Sequence, residues 1–425
     1  MLRARIAIAL GRLAGRLSRL VGRGGTAVPG LVAARFHPAL VEHLVDGVPV
    51  VVVTGTNGKT TTTRMLVTAL DHDGWSVATN PSGSNLARGV LTALMEHSRG
   101  GALQADVAVL EIDEAAVRDL AGRLRPAVLV VTNLHRDQLD RYGELATTAG
   151  HVAVAAAASE TLVLNADDPM VATLAGSAGG RVAWFGGSDA VRALMPHDAM
   201  LHGGELPDPA VAEPDAVVEG VFGAGEGQRI TLTVDGAGLE VGLAVPGVYN
   251  AFNAAAALLA AARLGVEPSD AAAAVEGMPP AFGRGQVIEH SGRRVRLLLV
   301  KNPAGLNHAI RLLVALEEPS QVVVAINDRD ADGRDVSWLW DAAVEELAAT
   351  GHTFGASGLR ATDMGLRFKY AGVDAWVEPG LATAVDRAVA ATPEGGTVQV
   401  VPTYTAMLEL LDVLLPGASR SEAWS

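Results

Sequence analysis

Residues 54–61 combine the residue types and spacing that most clearly predict chemistry in this sequence. They read TGTNGKTT, follow the β-branched run 50–53, and precede a stretch from Thr60 to about His72 with helical character. Glycines in such a loop let backbone N–H groups face a polyphosphate, and a helix N-terminus favours an anion. Lys59 would neutralise the β- and γ-phosphates, and the Thr60 hydroxyl would bind Mg²⁺. The segment therefore predicts a phosphate-binding loop rather than a plain strand–helix turn.

Carboxylates follow a second apolar run, 107–111, which is predicted to be a buried strand. Open parallel sheets bind ligands beyond the carboxyl ends of their strands, so Glu111 lies where a ligand would bind. A solvated loop acid is the alternative for Glu111. It is the favoured interpretation for Asp113 and Glu114.

The surrounding elements alternate between short apolar strands and helical stretches, which is typical of a doubly wound parallel sheet. Between about 181 and 245, Gly, Asp, Glu and Pro are frequent and short runs alternate, which predicts a small antiparallel β insert. An Ala-rich helix is predicted over 251–264 and a linker over 279–285. Further strands are predicted at 127–132, 161–165, 296–300, 321–326 and 397–401.

The composition excludes several classes of function. The net charge of −14 argues against a dedicated nucleic-acid binder, because phosphate backbones need clustered Lys and Arg. The chain has no cysteine, which excludes disulfides, thiol nucleophiles and thiolate metal sites and fits a cytoplasmic protein. Its 11 histidines show no paired ligand spacing, so we expect no zinc.

The first 25 residues resemble a targeting segment only superficially, because the apolar stretch 6–10 is short and arginines follow it. Their spacing predicts an amphipathic helix. One interpretation is a helix packed on its own protein with a solvated arginine edge, and the other is contact with an anionic membrane surface. The apolar face would comprise Leu2, Ile6, Leu10, Leu13, Leu17 and Leu20, flanked by Arg5, Arg12, Arg16, Arg19 and Arg23.

Several motifs together resemble the Mur ligase superfamily, which includes folylpolyglutamate synthases. The loop variant GTNGKTT is one of them. Residues 132–140, TNLHRDQLD, are similar to its TN…DHLD segment, but Gln138 replaces the His, so no histidine contact is implied there. Residues 247–255, GVYNAFNAA, resemble its GxHNxxNxxAA helix start, and residues 282–284, FGR, match the end of its ATPase domain.

This resemblance implies ATP and Mg²⁺ as cofactors. It places Asn253 beside the nucleotide base, and it assigns Glu111 and Thr60 to the magnesium ion. The nucleotide-binding residues that it implies are Thr56, Asn57, Gly58, Lys59, Thr60, Thr61, Asn253 and Arg284.

The C-terminal third narrows the resemblance to one branch. The D-Y-A-H motif of members that add amino acids is absent from the aligned stretch 300–307, VKNPAGLN. Residues 325–341 and 402–407 instead resemble signatures of the synthetase subunits of lipid II isoglutaminyl synthase. Many members of that branch carry a four-cysteine zinc ribbon, which this chain cannot have; the β insert near 181–245 would take its place without metal.

That branch implies ATP-dependent amidation of the D-glutamate α-carboxylate in the lipid II stem peptide, through an acyl phosphate. The ammonia would come from a GatD-like glutamine amidotransferase subunit in a heterodimer. A chain without cysteine cannot itself be a Cys-dependent glutaminase, which agrees with a separate ammonia source.

Asp335 is the one member of an acidic run for which we expect a catalytic role. The run 328–341 contains five aspartates, a density that is usual in solvated turns. Asp335 precedes VSWLW, so it is predicted to be a helix N-cap or first-turn residue. It also matches the family position expected to reach the partner glutaminase, where a carboxylate would orient the histidine of a Cys–His pair.

The predicted fold class is α/β, in four segments. An N-terminal amphipathic helix and linker occupy 1–44. A Mur ligase-type central P-loop ATPase domain, a parallel sheet with a small antiparallel β part, spans 45–285. A Rossmann-like C-terminal α/β domain spans 286–416, and a disordered tail is expected over 417–425.

Two other functions stay open. One is a Mur- or folylpolyglutamate-type ligase that joins an amino acid to a carboxylate, against which the missing D-Y-A-H motif argues. The other is an ATP-binding module without catalysis. The expected location is cytoplasmic. If the N-terminal helix contacts an anionic membrane surface, the protein would lie at the inner face of the membrane.

Overall fold

The computed structural model describes residues 2–20, 27–80, 84–135, 145–195, 207–223, 227–279 and 283–415. The predicted α/β fold class is confirmed, since the strands form one nine-stranded and one six-stranded sheet, both mostly parallel, and a two-stranded pair. The predicted tail, 417–425, lies outside the described residues.

The nine-stranded sheet has the order β11-β10-β9-β8-β7-β6-β1-β5-β2. Neighbouring strands from β2 through β9 pair in parallel, and β9, β10 and β11 pair antiparallel. The antiparallel insert predicted over about 181–245 is therefore only partly correct: β9, β10 and β11 extend the edge of the central sheet, whereas β8, within the same range, pairs in parallel on both sides. The strands, with the separate pair β3 and β4, are β1 (Val50–Thr54), β2 (Val77–Thr79), β3 (Ser98–Arg99), β4 (Ala102–Leu103), β5 (Val107–Glu111), β6 (Val128–Val131), β7 (Thr161–Asn165), β8 (Arg181–Gly187), β9 (Ala216–Phe222), β10 (Gln228–Val234) and β11 (Ala237–Leu243).

Helices cover both faces of this sheet, as a doubly wound fold requires. The helices are α1 (Leu2–Leu20), α2 (Val28–Phe36), α3 (Leu40–Val45), α4 (Lys59–His72), α5 (Ala87–Glu96), α6 (Glu114–Leu124), α7 (Leu145–Ala157), α8 (Pro169–Thr173), α9 (Asp189–Arg192), α10 (Val248–Arg263) and α11 (Pro268–Val275). A short 3₁₀ helix, Leu174–Ser177, follows α8.

The six-stranded sheet has the order β12-β13-β17-β14-β15-β16, and all its pairs are parallel except β12 with β13. Two 3₁₀ helices, Ser337–Asp341 and Val344–Ala349, lie between β14 and β15 in the chain. The strands and helices are β12 (Arg284–His290), β13 (Arg293–Leu298), α12 (Pro303–Val314), β14 (Gln321–Ala325), β15 (Thr353–Ser357), α13 (Ala361–Tyr370), β16 (Ala375–Val377), α14 (Leu381–Ala391), β17 (Thr397–Pro402) and α15 (Tyr404–Leu414).

Burial on both faces explains the uninterrupted valines of β1. Val51 and Val53 belong to one buried cluster, while Val50 and Val52 belong to the cluster on the other side of the sheet. An interior parallel strand needs apolar side chains on both faces, which alternation could not supply.

Parallel pairing gathers the candidate site residues at one edge of the sheet. Val53 pairs in register with Glu111, and Thr54 pairs with Val131. The phosphate loop, Glu111 and the residues after β6 therefore leave the sheet side by side, at the edge where such folds bind ligands.

Helix α1 is present as predicted, but it packs through a different face. Its buried residues include Ala4, Ala7, Ile8, Gly11 and Gly15. A Cβ on Gly11 would lie 2.7 Å from the Pro29 carbonyl oxygen, so the small residues permit the close approach to α2. The large apolar side chains face outward instead, with Leu2 73%, Ile6 49%, Leu13 53% and Leu17 54% exposed. Within the described segments, no helix combines the length and apolarity that a membrane span requires.

Candidate functional site

The phosphate loop needs its glycines for both backbone conformation and space. Gly55 and Gly58 have φ of +124° and +88°. A Cβ on Gly55 would lie 2.3 Å from the Thr132 hydroxyl, and one on Gly58 would lie 2.2 Å from the Asn253 side-chain oxygen. Any larger residue would therefore push the loop away from β6 and α10.

The TN pair after β6 holds the loop through Asn57. The Thr132 hydroxyl and the Asn133 amide donate to the Asn57 carbonyl oxygen at 2.7 and 2.9 Å. The Asn57 N–H donates to the Asn133 side-chain oxygen at 2.9 Å. Asn165 at the end of β7 fixes Thr132 in turn, by donating to its carbonyl oxygen at 3.0 Å. Three successive strand ends thus set the shape of the loop.

Lys59 lies at the start of α4, where it is buried and paired with an acid. Its ammonium is 2.9 Å from the Glu114 carboxylate and also donates to the carbonyl oxygens of Gly55 and Thr56. Burial by itself would lower the pKa of Lys59, but the nearby Glu114 and Asp113 carboxylates more than offset it and raise the pKa above its ordinary value. The three donors of the ammonium each have an acceptor, so a phosphate would compete with Glu114 for this cation.

The interpretation of Asp113 and Glu114 as solvated acids was wrong. Both are buried. Asp113 is the N-cap of α6, where its carboxylate accepts from the Ala115 N–H at 3.0 Å. Strand β5 ends next to the phosphate loop, so the acids that follow it turn inward toward Lys59 rather than out to water.

Glu111 and Thr60 are the predicted magnesium ligands, and both are buried at this edge. The Glu111 carboxylate accepts a hydrogen bond from the Asn85 amide at 3.5 Å. The Glu111 N–H donates to the Asn80 side-chain oxygen, and the Asn80 side-chain nitrogen donates to the Glu111 carbonyl oxygen, both at 2.9 Å. Among the described residues, no group of three or more His, Asp or Glu could hold a metal ion by itself. One carboxylate and one hydroxyl fit Mg²⁺, because this ion keeps several waters and takes its remaining ligands from phosphates.

A cavity beside the loop has a mostly apolar wall. Gly58 and Asn253 form part of its wall, and Asn253 is held by a bond of 3.2 Å from its amide to the Asn250 side-chain oxygen. Most ligand pockets combine an apolar wall with a few placed polar groups. The apolar and aromatic wall consists of Phe185, Met195, Tyr249 and Phe252.

A buried ion pair closes the same cavity. Arg192 Nε lies 3.0 Å from one oxygen of the Asp167 carboxylate, and the other oxygen accepts from the Gly187 N–H at 2.8 Å. Burial raises the pKa of Asp167 although Gly187 and Arg192 act in the opposite direction. Asp168, the next residue, caps α8 and accepts from the Leu134 N–H at 2.7 Å.

The C-terminal sheet supplies the opposite wall of the site. The Asn302 and Asn57 side-chain amides exchange contacts at 3.3 and 3.4 Å across 245 positions of sequence. His308 of α12 lies against Tyr249, with ring centroids 4.6 Å apart. Burial, and secondarily the nearby His135, lower the pKa of His308 to about 3, so the imidazole is neutral near pH 7. Lys301, just before α12, lines a second cavity with Gly58 and Thr61.

The two C-terminal signature segments meet each other. Asp332 accepts from the Thr405 N–H at 2.7 Å and from its hydroxyl. The Asn327 N–H donates to the Thr403 hydroxyl at 2.8 Å, and its amide donates to the Thr405 hydroxyl at 3.1 Å. The acidic run therefore begins in a fixed loop on the N-terminus of α15.

Asp335 lies one residue earlier than predicted, and the element behind it is a 3₁₀ helix. The N-cap residue is Val336. The half-buried Asp335 carboxylate nevertheless ties the first turn, accepting from the Ser337 N–H at 2.8 Å and from its hydroxyl at 2.9 Å. The short aromatic run buries Trp338 and Leu339 but leaves Trp340 exposed, as a tight three-residue turn does.

Two predicted groups fall outside what the structure describes. The side chain of Arg284 is one, although its backbone begins β12. Residues 136–140, including Gln138, are the other. His135 is described: its N–H donates to the Thr56 hydroxyl at 3.0 Å, and it lines the cavity beside the phosphate loop.

Sequence reasoning missed Glu114, Arg192, Asn302 and His308. Glu114 carries a detectable signal, because it follows a strand next to the phosphate-loop strand. Asn302, Arg192 and His308 approach the loop only through tertiary packing, and single residues of these types have no distinctive spacing.

Comparison with known proteins matches both parts of the chain. The family model described as Mur ligase middle domain matches residues 53–261, and the one described as MurT ligase C-terminal matches residues 299–407. The "lipid II isoglutaminyl synthase (glutamine-hydrolyzing) subunit MurT" of Streptococcus pneumoniae is 32% identical over 95% of this chain and 96% of its own length. The protein of the same name from Staphylococcus aureus is 29% identical over 96% of this chain and 97% of its own.

Solved structures share the fold. MurF from Acinetobacter baumannii superposes with a TM-score of 0.71 at 17% identity, covering 90% of this chain and 80% of that one. MurF from Thermotoga maritima in complex with ADP superposes with a TM-score of 0.69 at 16% identity, covering 91% and 83%. These similarities show the architecture alone.

Proposed function

This chain belongs to the MurT family of Mur-type ligases, and we propose on that premise that it amidates the D-glutamate α-carboxylate of the lipid II stem peptide. The family's enzymes are ATP-dependent ligases. The named relatives are subunits, which implies a partner subunit. We take that partner to be a GatD-like glutaminase that supplies ammonia.

The reaction would run in two balanced steps. A carboxylate oxygen attacks the γ-phosphorus of ATP, the bond to the ADP oxygen breaks, and an acyl phosphate forms. The ammonia nitrogen then attacks the acyl carbon, loses a proton and expels inorganic phosphate. The chain would supply charge neutralisation and orientation, which are the usual contributions of a protein to phosphoryl transfer.

Lys59 would make the transition-state contact to the phosphates after exchanging Glu114 for phosphate oxygens. Glu111 and Thr60 would hold Mg²⁺, whose charge would offset the remaining charge of the phosphates. Thr56, Asn57, Gly58 and Thr61 would present the loop to the phosphates, and Asn253 would contact the base. Arg284 is retained in the proposal from the family motif alone.

The contact between the two C-terminal signature segments, 325–341 and 402–407, is the observation that favours this ligase over the alternatives. Asp332 and Asn327 are fixed on Thr405, which leaves Asp335 at the surface beyond them. Both Asp335 oxygens are oriented by Ser337. We propose that this held carboxylate orients the histidine of the partner's Cys–His pair, so that glutamine hydrolysis depends on assembly.

Helix α1 supports a position at the inner face of the membrane. It carries five arginines and no acid, in a chain of net charge −14. Its exposed Leu and Ile side chains lie opposite the face that packs on α2. Beside this stripe, Arg5 and Arg12 donate to backbone oxygens of the chain itself. Helices with this pattern lie in the interface of anionic membranes, which is where a lipid-linked substrate is found.

The experiment that tests the function is mass spectrometry of a lipid II analogue. The analogue is incubated with ATP, amide-labelled glutamine, this chain and the glutaminase subunit. Transfer of the labelled nitrogen is expected only when all of them are present. ATP turnover without labelled product would reject the proposal.

A further inference from the structure

A cavity of about 710 Å³ with both polar and apolar lining lies in the C-terminal part, away from the phosphate loop. It is at the amino ends of β13, β14 and β17, whereas Lys301 and Asn302 leave the sheet at the carboxyl end. The loops before β14 and after α14 close over it. Small-molecule sites in proteins typically have volumes of about 300–1,000 Å³.

The alternation of β13 places two arginines in this cavity. Val295 and Leu297 belong to the buried cluster on one face, so Arg294 and Arg296 point to the other. Parallel register sets Arg296 beside Gln399 and Arg294 beside Thr397 of β17. These four side chains form one polar patch at the amino ends of β13 and β17, beyond the apolar core.

The charge of Arg296 has no partner on the protein. The residue is only 4% exposed, and among the described residues no hydrogen-bond acceptor or carboxylate is within bonding distance of its guanidinium. Burial, and then the Arg294 charge, lower the pKa of Arg296. Glu317 and Glu318 line the cavity, but both are exposed and neither pairs with Arg296. Buried charges are ordinarily paired, because an unpaired one is costly.

Gln399 adds an independent sign of a missing ligand. It is 2% exposed, and its side-chain oxygen has no hydrogen-bond partner. Buried amide oxygens in native proteins nearly always accept a bond from protein or ordered solvent. A ligand with both an anionic group and a donor would satisfy Arg296 and Gln399 together.

We propose that this cavity is a binding site for a small molecule that carries a phosphate group. Two adjacent guanidinium groups match the oxygens of a phosphate, and the volume exceeds what one inorganic ion fills. The site is separate from the nucleotide site, since it lies at the opposite ends of the strands. Its ligand would stabilise the C-terminal part of the chain without touching the reacting groups.

Inorganic phosphate is the probe for the test. Thermal unfolding of the full chain is followed in buffer without phosphate, with saturating Mg²⁺–ADP to fill the phosphate loop and chloride to hold ionic strength constant. Added phosphate should raise Tm saturably, as a ligand of the folded state does. Arg296→Gln should abolish this rise, and Arg229→Gln, at an exposed arginine of the other sheet, should leave it unchanged.

The unliganded Arg296→Gln protein gives the second readout. Because the substitution removes an unpaired buried charge, its Tm without phosphate should equal or exceed that of the unsubstituted chain. A lower Tm would mean that Arg296 has a structural role and would overturn the proposal. So would the absence of any phosphate effect, or an effect of equal size in the Arg296→Gln protein.

Discussion

The Lys59 ammonium and the Glu114 carboxylate form a buried ion pair with a distance of 2.9 Å. The Lys59 cation, which would neutralise the nucleotide phosphates, is thus held in place by the acid that begins α6, the helix after the neighbouring strand β5. Nucleotide binding must then exchange one negative partner for another. This exchange keeps the cation paired in both states, which a buried charge requires.

Replacing Glu114 with Gln should make stability depend more strongly on nucleotide. The substitution leaves Lys59 buried without its carboxylate, and breaking a buried pair in this way costs about 3–5 kcal/mol. Phosphates should restore much of that loss, so the rise in Tm on adding Mg²⁺–ATP should exceed that of the unsubstituted chain. Asp119→Asn, at an exposed acid of the same helix, is the matched control. An unchanged Tm in both conditions would remove Glu114 from the account.

His308 should make the protein less stable in mild acid. Its pKa in the folded chain is about 3, below the value of about 6.5 that an unfolded histidine has. As pH falls from about 6.5 toward 3, the unfolded chain binds this proton first, so the stabilisation is full above that window and decreases within it. His308→Gln should flatten the Tm profile between pH 7 and 5, while His72→Gln, at an exposed position, should not. Parallel profiles for all three proteins would contradict the burial argument.

The exposed face of α1 should bind anionic lipid. Full-length chain should co-sediment with vesicles of phosphatidylglycerol and phosphatidylcholine, and much less with phosphatidylcholine alone. Leu13→Gln with Leu17→Gln should weaken this binding by on the order of tenfold or more, because two apolar side chains lose their burial. Leu366→Gln with Val314→Gln alters exposed apolar residues elsewhere and is the control.

The same variants distinguish membrane binding by the α1 stripe from binding of the partner subunit by that stripe. If the α1 substitutions abolish complex formation and leave vesicle binding unchanged, the stripe is a protein interface. Amidation of a soluble, short-chain substrate should persist in the α1 variants. That result keeps the proposed function distinct from the membrane contact.

Asp335→Asn should uncouple the two activities of the complex. The Asn oxygen can still accept from the Ser337 N–H, and the Asn NH2 can donate to the Ser337 hydroxyl, so the 3₁₀ turn and the assembly should survive. Glutamine hydrolysis should collapse, while amidation from added ammonium should persist. Hydrolysis near the unsubstituted rate in an intact complex would reduce Asp335 to a turn-stabilising residue.

The local patterns that correctly predicted the central fold each have one dominant physical cause, such as burial or a backbone angle. A valine run such as β1 is buried on both faces, and the glycines of the phosphate loop adopt backbone angles that other residues resist. The strand 107–111 was found with the predicted bounds for the same reason. These features depend on neighbours in sequence, so the sequence alone could reveal them.

Features set by long-range packing could not be read in this way. The apolar stripe of α1 was visible, but its outward direction follows from the Ala and Gly face that fits against Pro29. The contact of Asn57 with Asn302 joins residues 245 positions apart. Glu114 looked like one acid among several until the sheet order set it beside Lys59.

The most direct measurement uses amide-labelled glutamine and the complete complex. Mass spectrometry should find the label in the lipid II analogue with the unsubstituted chain. The variant for comparison combines Lys59→Ala with Glu114→Gln, which removes both members of the buried pair and so avoids an unpaired charge. Its fold should be retained while labelled product falls by about 10²–10³, the loss typical of one transition-state charge contact. Label incorporation at the unsubstituted rate by a folded double variant would contradict the assignment of this loop to the reaction.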